Sequence, residues 1–464
     1  MKLVRLIVPG SVVLLAGCSL SSTYLRPELP AGPRWSTPGA AAAVQVSADR
    51  WWTAFGDPNL DKLVDEITRR DNNVLLAAAG AHRARLHADI AANTLFPKLN
   101  GGISIHKDGK ATTSASTSTG VSYEIDLWGK LSAQRDKADF EAQATAEDYE
   151  AARLVAIGKT VETYFRIAYA NQLLASAQTS LAEAKQTRAL VRTQMAAGAV
   201  SDLELRLAEQ KVEQHAATVS QMKQARLVLR NSLIVLLNGE PNPVPEPQRL
   251  PSKKLPQLQA GLPADLLARR PDLRAAEARL RATLKGVDAT RASFYPGISL
   301  TGSLSTSSPQ LLAFITNPAA ALGASVALSF LNLKDMKLSI AVSRAEFDEA
   351  VLNFRTTLLT AFSEVRTALG ARADYAEQVQ RRRNVLAAAK EIEQLEEARY
   401  RSGDISFSSW LAAQEGRRAA ETALGGIRLE QLLNESKLYR ILGGSAATTG
   451  PDRQRTAAEP TSAP

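Results

Sequence analysis

The sequence has few of the residue types that form disulfides, metal sites and active sites. Of 464 residues, one is cysteine, four are histidine and 5% are aromatic. A single cysteine cannot form an internal disulfide. His82 and His87 are five positions apart and lie on different faces of a helix, while His106 and His215 stand alone, so no metal site is predicted. Without a phosphate-binding loop, zinc-protease helix or nucleophile elbow, the sequence predicts no enzyme.

Long apolar runs and charge of a single sign are also missing. A membrane-spanning helix needs about 20 apolar residues, and the apolar run at residues 6–15 is too short for one. The net charge is +9, from 56 Lys and Arg against 47 Asp and Glu. Because the two signs alternate along helical stretches, as on a solvated helix face, we predict no nucleic-acid partner.

The N-terminus has the layout of an export signal. Lys2 and Arg5 precede the apolar run, and small residues follow it before Cys18. We therefore predict a signal peptide at residues 1–17. The site resembles a bacterial lipobox, which implies that Cys18 carries a diacylglycerol and palmitate anchor. We predict no other cofactor. Ser19, rather than Asp, is typical of lipoproteins sent to the outer membrane, so we expect a lipid-anchored outer-membrane protein that extends into the periplasm.

The rest of the sequence contains two copies of one order of landmarks. Three landmarks recur at offsets of 199, 205 and 204 residues by subtraction: Phe96-Pro97 with Tyr295-Pro296, Gly198 with Gly403, and Asn238-Gly239 with Leu442-Gly443. A period near 200 is too long for a solenoid and indicates a duplicated domain.

The remaining segments separate these two structural repeats. We place the repeats at residues 51–238 and 264–443. Residues 18–50 read as a lipidated tether. Residues 239–263 hold seven prolines, a density that excludes helix and central strand, and form a connector. The small polar residues 444–464 predict a disordered tail.

Each repeat combines two short strands with long helices. Alternation of apolar with small polar residues predicts strands at about 98–106, 120–127, 297–305 and 322–331. Apolar spacing near 3.5 predicts coiled-coil helices. The strands fit either a half-buried soluble sheet or a transmembrane β-barrel, and export favours the barrel.

The predicted fold class is therefore mainly α with a small β part. A long coiled-coil α-helical barrel would join a β-barrel to which each chain contributes four strands. Because a membrane barrel needs about 8 strands, the chain must oligomerise, and three copies supply about 12. The alternative is a lipid-anchored coiled-coil scaffold without a pore. Lysine at Val326 and Leu328 would abolish membrane integration of a barrel only.

With this architecture, several short motifs resemble the TolC-like and OprM-like outer-membrane efflux ducts, in particular their lipidated NodT-type branch. They occur in the family's order over residues 51–443: Trp51-Trp52 with Asp57-Pro58, Asn72-Asn73, residues 123–130, Arg269-Arg270-Pro271-Asp272 and residues 294–300. The resemblance implies a homotrimeric channel that exports small molecules such as drugs passively. Its implied partners are a periplasmic adaptor and an inner-membrane pump of the RND type. A protein-secretion duct is the alternative.

The resemblance also implies a periplasmic tip that closes and opens. Gly198 and Gly403 would be the helix turns at this tip. Glu204 lies six positions after the first glycine, where the family has an acidic residue at the constriction. Tyr400 lies three positions before the second and would hydrogen-bond Glu204. If that latch exists, Tyr400→Phe raises conductance; otherwise both residues are ordinary turn residues.

The second acidic ring of the family is not matched. Ser409 and Ala412 occupy its positions, and Glu415 is the nearest downstream carboxylate. Glu415 is therefore the third gate candidate.

Overall fold

The computed structural model describes residues 21–27, 48–107, 113–252, 269–308 and 319–444. Cys18, the predicted signal peptide and all but one residue of the predicted tail lie outside this set. The helices are a 3-10 helix at Ala48–Phe55, α1 Pro58–Arg70, α2 Asn72–Asn93, α3 Lys130–Ala196, α4 Asp202–Leu236, α5 Pro271–Ala292, α6 Leu333–Arg401 and α7 Phe407–Ile441. The strands are β1 Lys98–Lys107, β2 Thr113–Ile125, β3 Gly297–Ser308 and β4 Ala319–Ala327.

The chain divides into two compact units. The described part of the first comprises residues 21–27, 84–107, 113–143, 278–308 and 319–352 and contains the whole sheet. The described part of the second comprises residues 48–83, 144–252, 269–277 and 353–444. In these ranges no helix combines the length and the apolar character that a bilayer crossing requires.

The sheet of the first unit has the order β1-β2-β3-β4, and every pairing is antiparallel. Its apolar side chains are exposed in the single chain: Leu99, Ile103, Leu300, Leu304, Leu322 and Val326. On β4 the exposed fraction reaches 94% at Leu322 and 58% at Val326. An apolar strand face of this kind requires a partner or a lipid environment.

The predicted strand bounds differ most from the observed ones at the start of β2 and the end of β4. β2 begins at Thr113 rather than near residue 120, because the Ser- and Thr-rich stretch before Gly120 pairs with β1 on one side and, from Ala115 onward, with β3 on the other. Threonine suits strands, but this stretch has no apolar alternation to reveal it. β4 ends at Ala327, not 331, because residues 329–331 form a 3-10 turn.

The junction between β2 and α3 explains the motif at residues 123–130. The Asp126 carboxylate accepts hydrogen bonds from the backbone N–H groups of Leu131 and Ser132, at 2.9 and 2.8 Å, and so caps the first turn of α3. Lys130 pairs with Glu124 across the turn. The Trp128 indole N–H donates to the Pro296 carbonyl at 2.9 Å. These contacts connect the start of α3 to both strand pairs.

The second unit is built on an aromatic core. Trp51 is 1% exposed and stacks on Tyr439 of α7, with ring centroids 5.3 Å apart. Phe55 meets Phe165 of α3 edge to face at 5.0 Å. Buried aromatic pairs contribute about 0.5–1.5 kcal/mol beyond their burial. Trp51 and Phe55 are therefore packing anchors that join the first 3-10 helix to α7 and to α3.

The proline-rich connector is packed where it is described. Val244 and Leu250 lie in the aromatic core. The Glu246 carboxylate pairs with Arg230, and the Arg428 guanidinium donates to the Pro251 carbonyl. Side chains of neighbouring helices thus hold the connector in place. The Arg428 guanidinium also gives a backbone carbonyl the hydrogen-bond partner that regular secondary structure would otherwise supply.

The third landmark pair needs a correction of one residue. Asn238 and Gly443 both have positive φ, at 58° and 99°. The amides of the residues that follow them, Gly239 and Gly444, donate to carbonyls five residues earlier. Asn238 therefore corresponds to Gly443, and the offset is 205 rather than 204. Each repeat has two consecutive residues with positive φ here, Asn238-Gly239 and Gly443-Gly444, and the error arose because the first of them is a glycine only in the second repeat.

Candidate functional site: the two helix turns and the bundle beside them

The turn between α3 and α4 is a Schellman motif. Gly198 has φ of +74°, its amide donates to the Met195 carbonyl, and the Ala199 amide donates to the Gln194 carbonyl, both at 2.9 Å. No heavy atom lies within 4 Å of the Cβ that a larger residue would add at Gly198. Glycine is therefore required here by backbone conformation and not by space.

The turn between α6 and α7 repeats this geometry 205 residues later. Gly403 has φ of +78°, its amide donates to the Tyr400 carbonyl at 3.0 Å, and the Asp404 amide donates to the Arg399 carbonyl at 2.9 Å. Ser406 caps α7 by accepting a hydrogen bond from the Ser409 amide at 3.3 Å. Ser409, where the resemblance implied an acidic residue, thus serves as part of a helix start.

Tyr400 is held by aromatic stacking. Its ring lies parallel to that of Trp410, with centroids 5.0 Å apart and planes at 15°, and Phe407 lies 5.5 Å away. Leu205 of α4 belongs to the same cluster. The Tyr400 hydroxyl donates to Gln194 Oε1 at 3.4 Å. The aromatic cluster thus joins both helix turns.

The predicted hydrogen bond between Tyr400 and Glu204 is not formed. Within the described part of the chain, Glu204 Oε2 is buried and has no hydrogen-bond partner. Burial and then the charge of Glu204 raise the pKa of Tyr400. Stacking on Trp410 fixes the ring and directs the hydroxyl to Gln194 instead.

We expect Tyr400→Phe to leave stability nearly unchanged, and to leave unchanged the conductance that the predicted latch would raise. The hydrogen bond that it removes is long, so its loss costs less than about 1 kcal/mol. Trp410→Ala removes a buried ring from the stack and costs about 3–5 kcal/mol. Conductance in planar bilayers and the thermal unfolding midpoint measure both effects. A rise in conductance for Tyr400→Phe would instead support a Glu204 latch.

Glu415 belongs to an ion-pair network. Its Oε1 lies 3.2 Å from Lys211 Nζ and 3.4 Å from Arg418 Nη1. Arg418 Nη2 lies 3.1 Å from Glu183 Oε2. Since these residues come from α4, α7 and α3, the network joins three helices, and Arg417 extends it to Glu393 of α6.

Sequence reasoning missed this network. The adjacent Arg417-Arg418 pair and the four-residue spacing of Lys211 and His215 were available signals. They do not by themselves tell which acidic residues on distant helices they meet.

His215 is the buried titratable group of this network, with 8% exposure. Its Nε2 lies 3.2 Å from Arg418 Nη1, which can only donate, so this ring nitrogen accepts and the ring is neutral. Burial and then the charge of Arg418 lower the pKa of His215, with Lys211 acting in the same direction and Glu415 and Glu183 opposing them.

The lowered pKa of His215 predicts acid sensitivity of the bundle. The unfolded chain binds a proton near pH 6.5 and the folded chain only at lower pH, so stability is complete above 6.5 and declines as the pH falls below it. His215→Gln keeps an acceptor for Arg418 but does not titrate. We expect its thermal midpoint to fall less between about pH 7.5 and 5.5 than that of the wild type. The exposed His87→Gln is the control, and an equal fall in all three proteins would contradict the assignment.

The described residues contain no group of three or more His, Cys, Asp or Glu side chains that could hold a metal ion. Packing, backbone conformation and ion pairs hold the two turns, the aromatic cluster and the network.

Comparison with known proteins identifies the family. The model of the outer membrane efflux protein family matches residues 63–239 and 262–444. The chain belongs to this family. The probable efflux pump outer membrane protein TtgC of Pseudomonas putida is 31% identical, over 96% of each chain. The pyoverdine export outer membrane protein OpmQ of Pseudomonas aeruginosa is 28% identical, over 96% of this chain and 97% of OpmQ.

Solved structures show the same fold. The CmeC outer membrane channel of Campylobacter jejuni has a TM-score of 0.83 at 25% identity, with 92% of this chain and 95% of CmeC covered. The open-state MtrE outer membrane channel of Neisseria gonorrhoeae has a TM-score of 0.80 at 27% identity, with 92% and 98% covered. The predicted fold class is confirmed, and because members of the efflux protein family are channels, so is the prediction of a non-enzyme.

Proposed function

We propose that three copies of this outer membrane efflux protein form the duct of a tripartite efflux system. A periplasmic adaptor and an inner-membrane pump of the RND type would complete the assembly and supply the energy, while small molecules such as drugs pass through the duct unchanged. A lipid on Cys18 would anchor each copy in the outer membrane.

The exposed face and the open edges of the sheet support this proposal. The sheet has exposed apolar side chains, and β1 and β4 each pair on one side only within the described chain. Lipid does not tolerate open strand edges, because their N–H and C=O groups would lack partners. Pairing of β4 with β1 of a neighbouring copy satisfies both edges and closes a ring.

The number of copies follows from the width a duct needs. Two copies would close eight strands, whose interior is just filled by side chains. Three copies give about 12 strands and leave room for a passage. Small polar residues alternate with the apolar ones, as at Ser299, Thr301 and Ser303 of β3, so the opposite face of the sheet suits a water-filled lumen.

The cargo class is proposed from the relatives. Proteins 27–31% identical to this chain are named for efflux of toluene, antibiotics and solvent or for pyoverdine export. These are small molecules, which favours a small-molecule duct over an exit for proteins.

We place the closed end of the duct at the two turns. In this proposal Gly198 and Gly403 form the tip, Tyr400 holds it through stacking, and Glu204 supplies negative charge beside it. Glu415 already pairs with Lys211 and Arg418. We therefore assign Glu415 to the supporting network.

The detergent-corrected mass of the mature protein from outer membranes tests the assembly. We expect three times the mass of one chain, falling to one chain in denaturant. A stable monomer or dimer would contradict the duct. Intact-mass spectrometry of the same sample tests the anchor, because acylated Cys18 adds the mass of its lipid and removal of residues 1–17 lowers the chain mass.

A further inference from the structure

The segment that follows Cys18 lies against α5. Residues 21–27 are extended, and Ser22 and Tyr24 alternate with the more exposed Ser21, Thr23 and Leu25. This alternation turns every second side chain toward the protein, as on a strand that covers a surface.

Asp288 binds this segment by accepting two hydrogen bonds from Ser22. Its Oδ2 accepts the Ser22 backbone N–H at 2.9 Å, and its Oδ1 accepts the Ser22 hydroxyl at 2.6 Å. Both carboxylate oxygens thus serve one residue, and hydrogen bonds to a carboxylate are stronger than those between neutral groups. Asp288 is only 3% exposed with the segment in place.

Two cations of α5 complete the contact. Lys285 Nζ donates to the Ser21 hydroxyl at 2.8 Å, and the Arg281 guanidinium lies 4.7 Å from the Tyr24 ring centroid. The side chains are spaced by three and four residues, so Arg281, Lys285 and Asp288 share one helix face. Lys285 also lies 3.5 Å from Asp136 of α3, which holds this face against its neighbour.

From these contacts we propose that Arg281, Lys285 and Asp288 form a docking site for the N-terminal segment of the mature chain and that Asp288 selects a hydroxyl residue at position 22. This inference rests on the proposed anchor at Cys18. Four residues span at most about 14 Å, so docking at Ser22 keeps Cys18 within that distance. Asp288 lies four residues before the end of α5, and β3 begins nine residues after it, at Gly297. The site thus fixes the lipid-bearing end beside the sheet instead of leaving a free tether.

The chemistry of Asp288 makes the selection testable. Ser22→Thr retains both donors and should dock like the wild type. Ser22→Ala loses the hydroxyl bond. Ser22→Asp sets two carboxylates against each other and should undock. Asp288→Asn combined with Ser22→Asp should regain part of the contact, because the amide can donate to the new carboxylate.

Hydrogen–deuterium exchange of the mature protein in detergent measures docking at the Ser22 amide. We expect exchange at least about tenfold faster in Asp288→Ala and Ser22→Asp than in the wild type and Ser22→Thr. Asp335→Asn, an exposed acid of the same unit, is the matched control. Equal exchange in the wild type and Asp288→Ala would overturn the proposal.

Mass spectrometry of the same samples separates this result from the anchor. An acylated Cys18 with a fast-exchanging Ser22 amide refutes the docking site alone. A protected Ser22 amide on a chain without lipid refutes the anchor and leaves the docking site standing.

Discussion

Lysine at both Leu322 and Val326 will prevent integration of the protein into the outer membrane. Both side chains lie on one face of β4 and are exposed in the single chain. A lysine on the lipid face of a membrane strand costs about 2–4 kcal/mol near the bilayer midplane. In a trimer the two substitutions occur six times in all, so the total penalty of about 12–24 kcal/mol matches or exceeds the about 5–15 kcal/mol that stabilise an ordinary domain.

The opposite face of the same strand supplies the control. Ala321 and Ser325 alternate with Leu322 and Val326, so lysines there would point into the lumen and should be tolerated. Resistance of the strands to added protease in outer-membrane vesicles, together with the trimer mass, measures integration. A protected trimer carrying lysine at Leu322 and Val326 would contradict the barrel. A scaffold held only by its lipid would respond to neither pair. Leu328 is unsuited to this test because it follows the end of β4.

Replacement of Arg372 by methionine will cause a loss of stability in the helical part as large as that expected for Trp410→Ala. Arg372 of α6 forms two hydrogen bonds with Glu435 of α7, Nε to Oε2 at 2.9 Å and Nη2 to Oε1 at 3.1 Å. The Glu435 side chain is 0% exposed. Removal of one partner from a buried pair leaves an uncompensated charge and costs about 3–5 kcal/mol. The thermal midpoint followed by circular dichroism measures this loss.

The pH dependence gives this variant a distinctive result. Burial already raises the pKa of Glu435 in the wild type, and loss of Arg372, which lowers it, must raise it further. Because its pKa is raised in the folded state, Glu435 contributes most to the free energy of unfolding at low pH. This contribution is lost as the pH rises from the unfolded pKa of 4.5 through the raised folded pKa. The deficit of Arg372→Met should therefore be smaller at about pH 5 than at pH 8.

Two further variants complete the experiment. Arg372→Met combined with Glu435→Gln removes the charge with its partner and should recover most of the loss. Arg381→Met breaks an exposed pair with Glu377, whose side chains are 76% and 68% exposed, and should cost less than about 0.5 kcal/mol. A pH-independent deficit in Arg372→Met would show that packing, and not charge, dominates the contact.

The helices and strands of this fold could be predicted from the sequence because each has a local pattern of apolar residues. Apolar periodicity located the long helices, and alternation located all four strands. The ends were less readable. The first half of β2 is almost entirely serine and threonine, so only its pairing with β1 and β3 reveals it as strand. The end of β4 depends on a 3-10 turn that apolar alternation does not predict.

The same difference between local pattern and tertiary contact applies to the turn glycines and to Tyr400. Gly198 and Gly403 could be found from sequence because a left-handed backbone position selects glycine wherever it occurs. The partner of Tyr400 could not, since Gln194 and Trp410 compete with Glu204 for it and only packing decides between them.

The sequence by itself determined the duplication, the helix and strand content, the two turns and the family motifs, because all of these depend on local conformation or on residue order. The tertiary structure decided the stacking of Tyr400, the network around His215 and the docking of Ser22 on Asp288. The stacking joins residues of neighbouring turns, but the hydrogen bond of Tyr400 to Gln194, the contact of His215 with Arg418 and the contact of Ser22 with Asp288 join residues 206, 203 and 266 positions apart. Their partners are chosen by which helix faces meet, and no local pattern of residues records that choice.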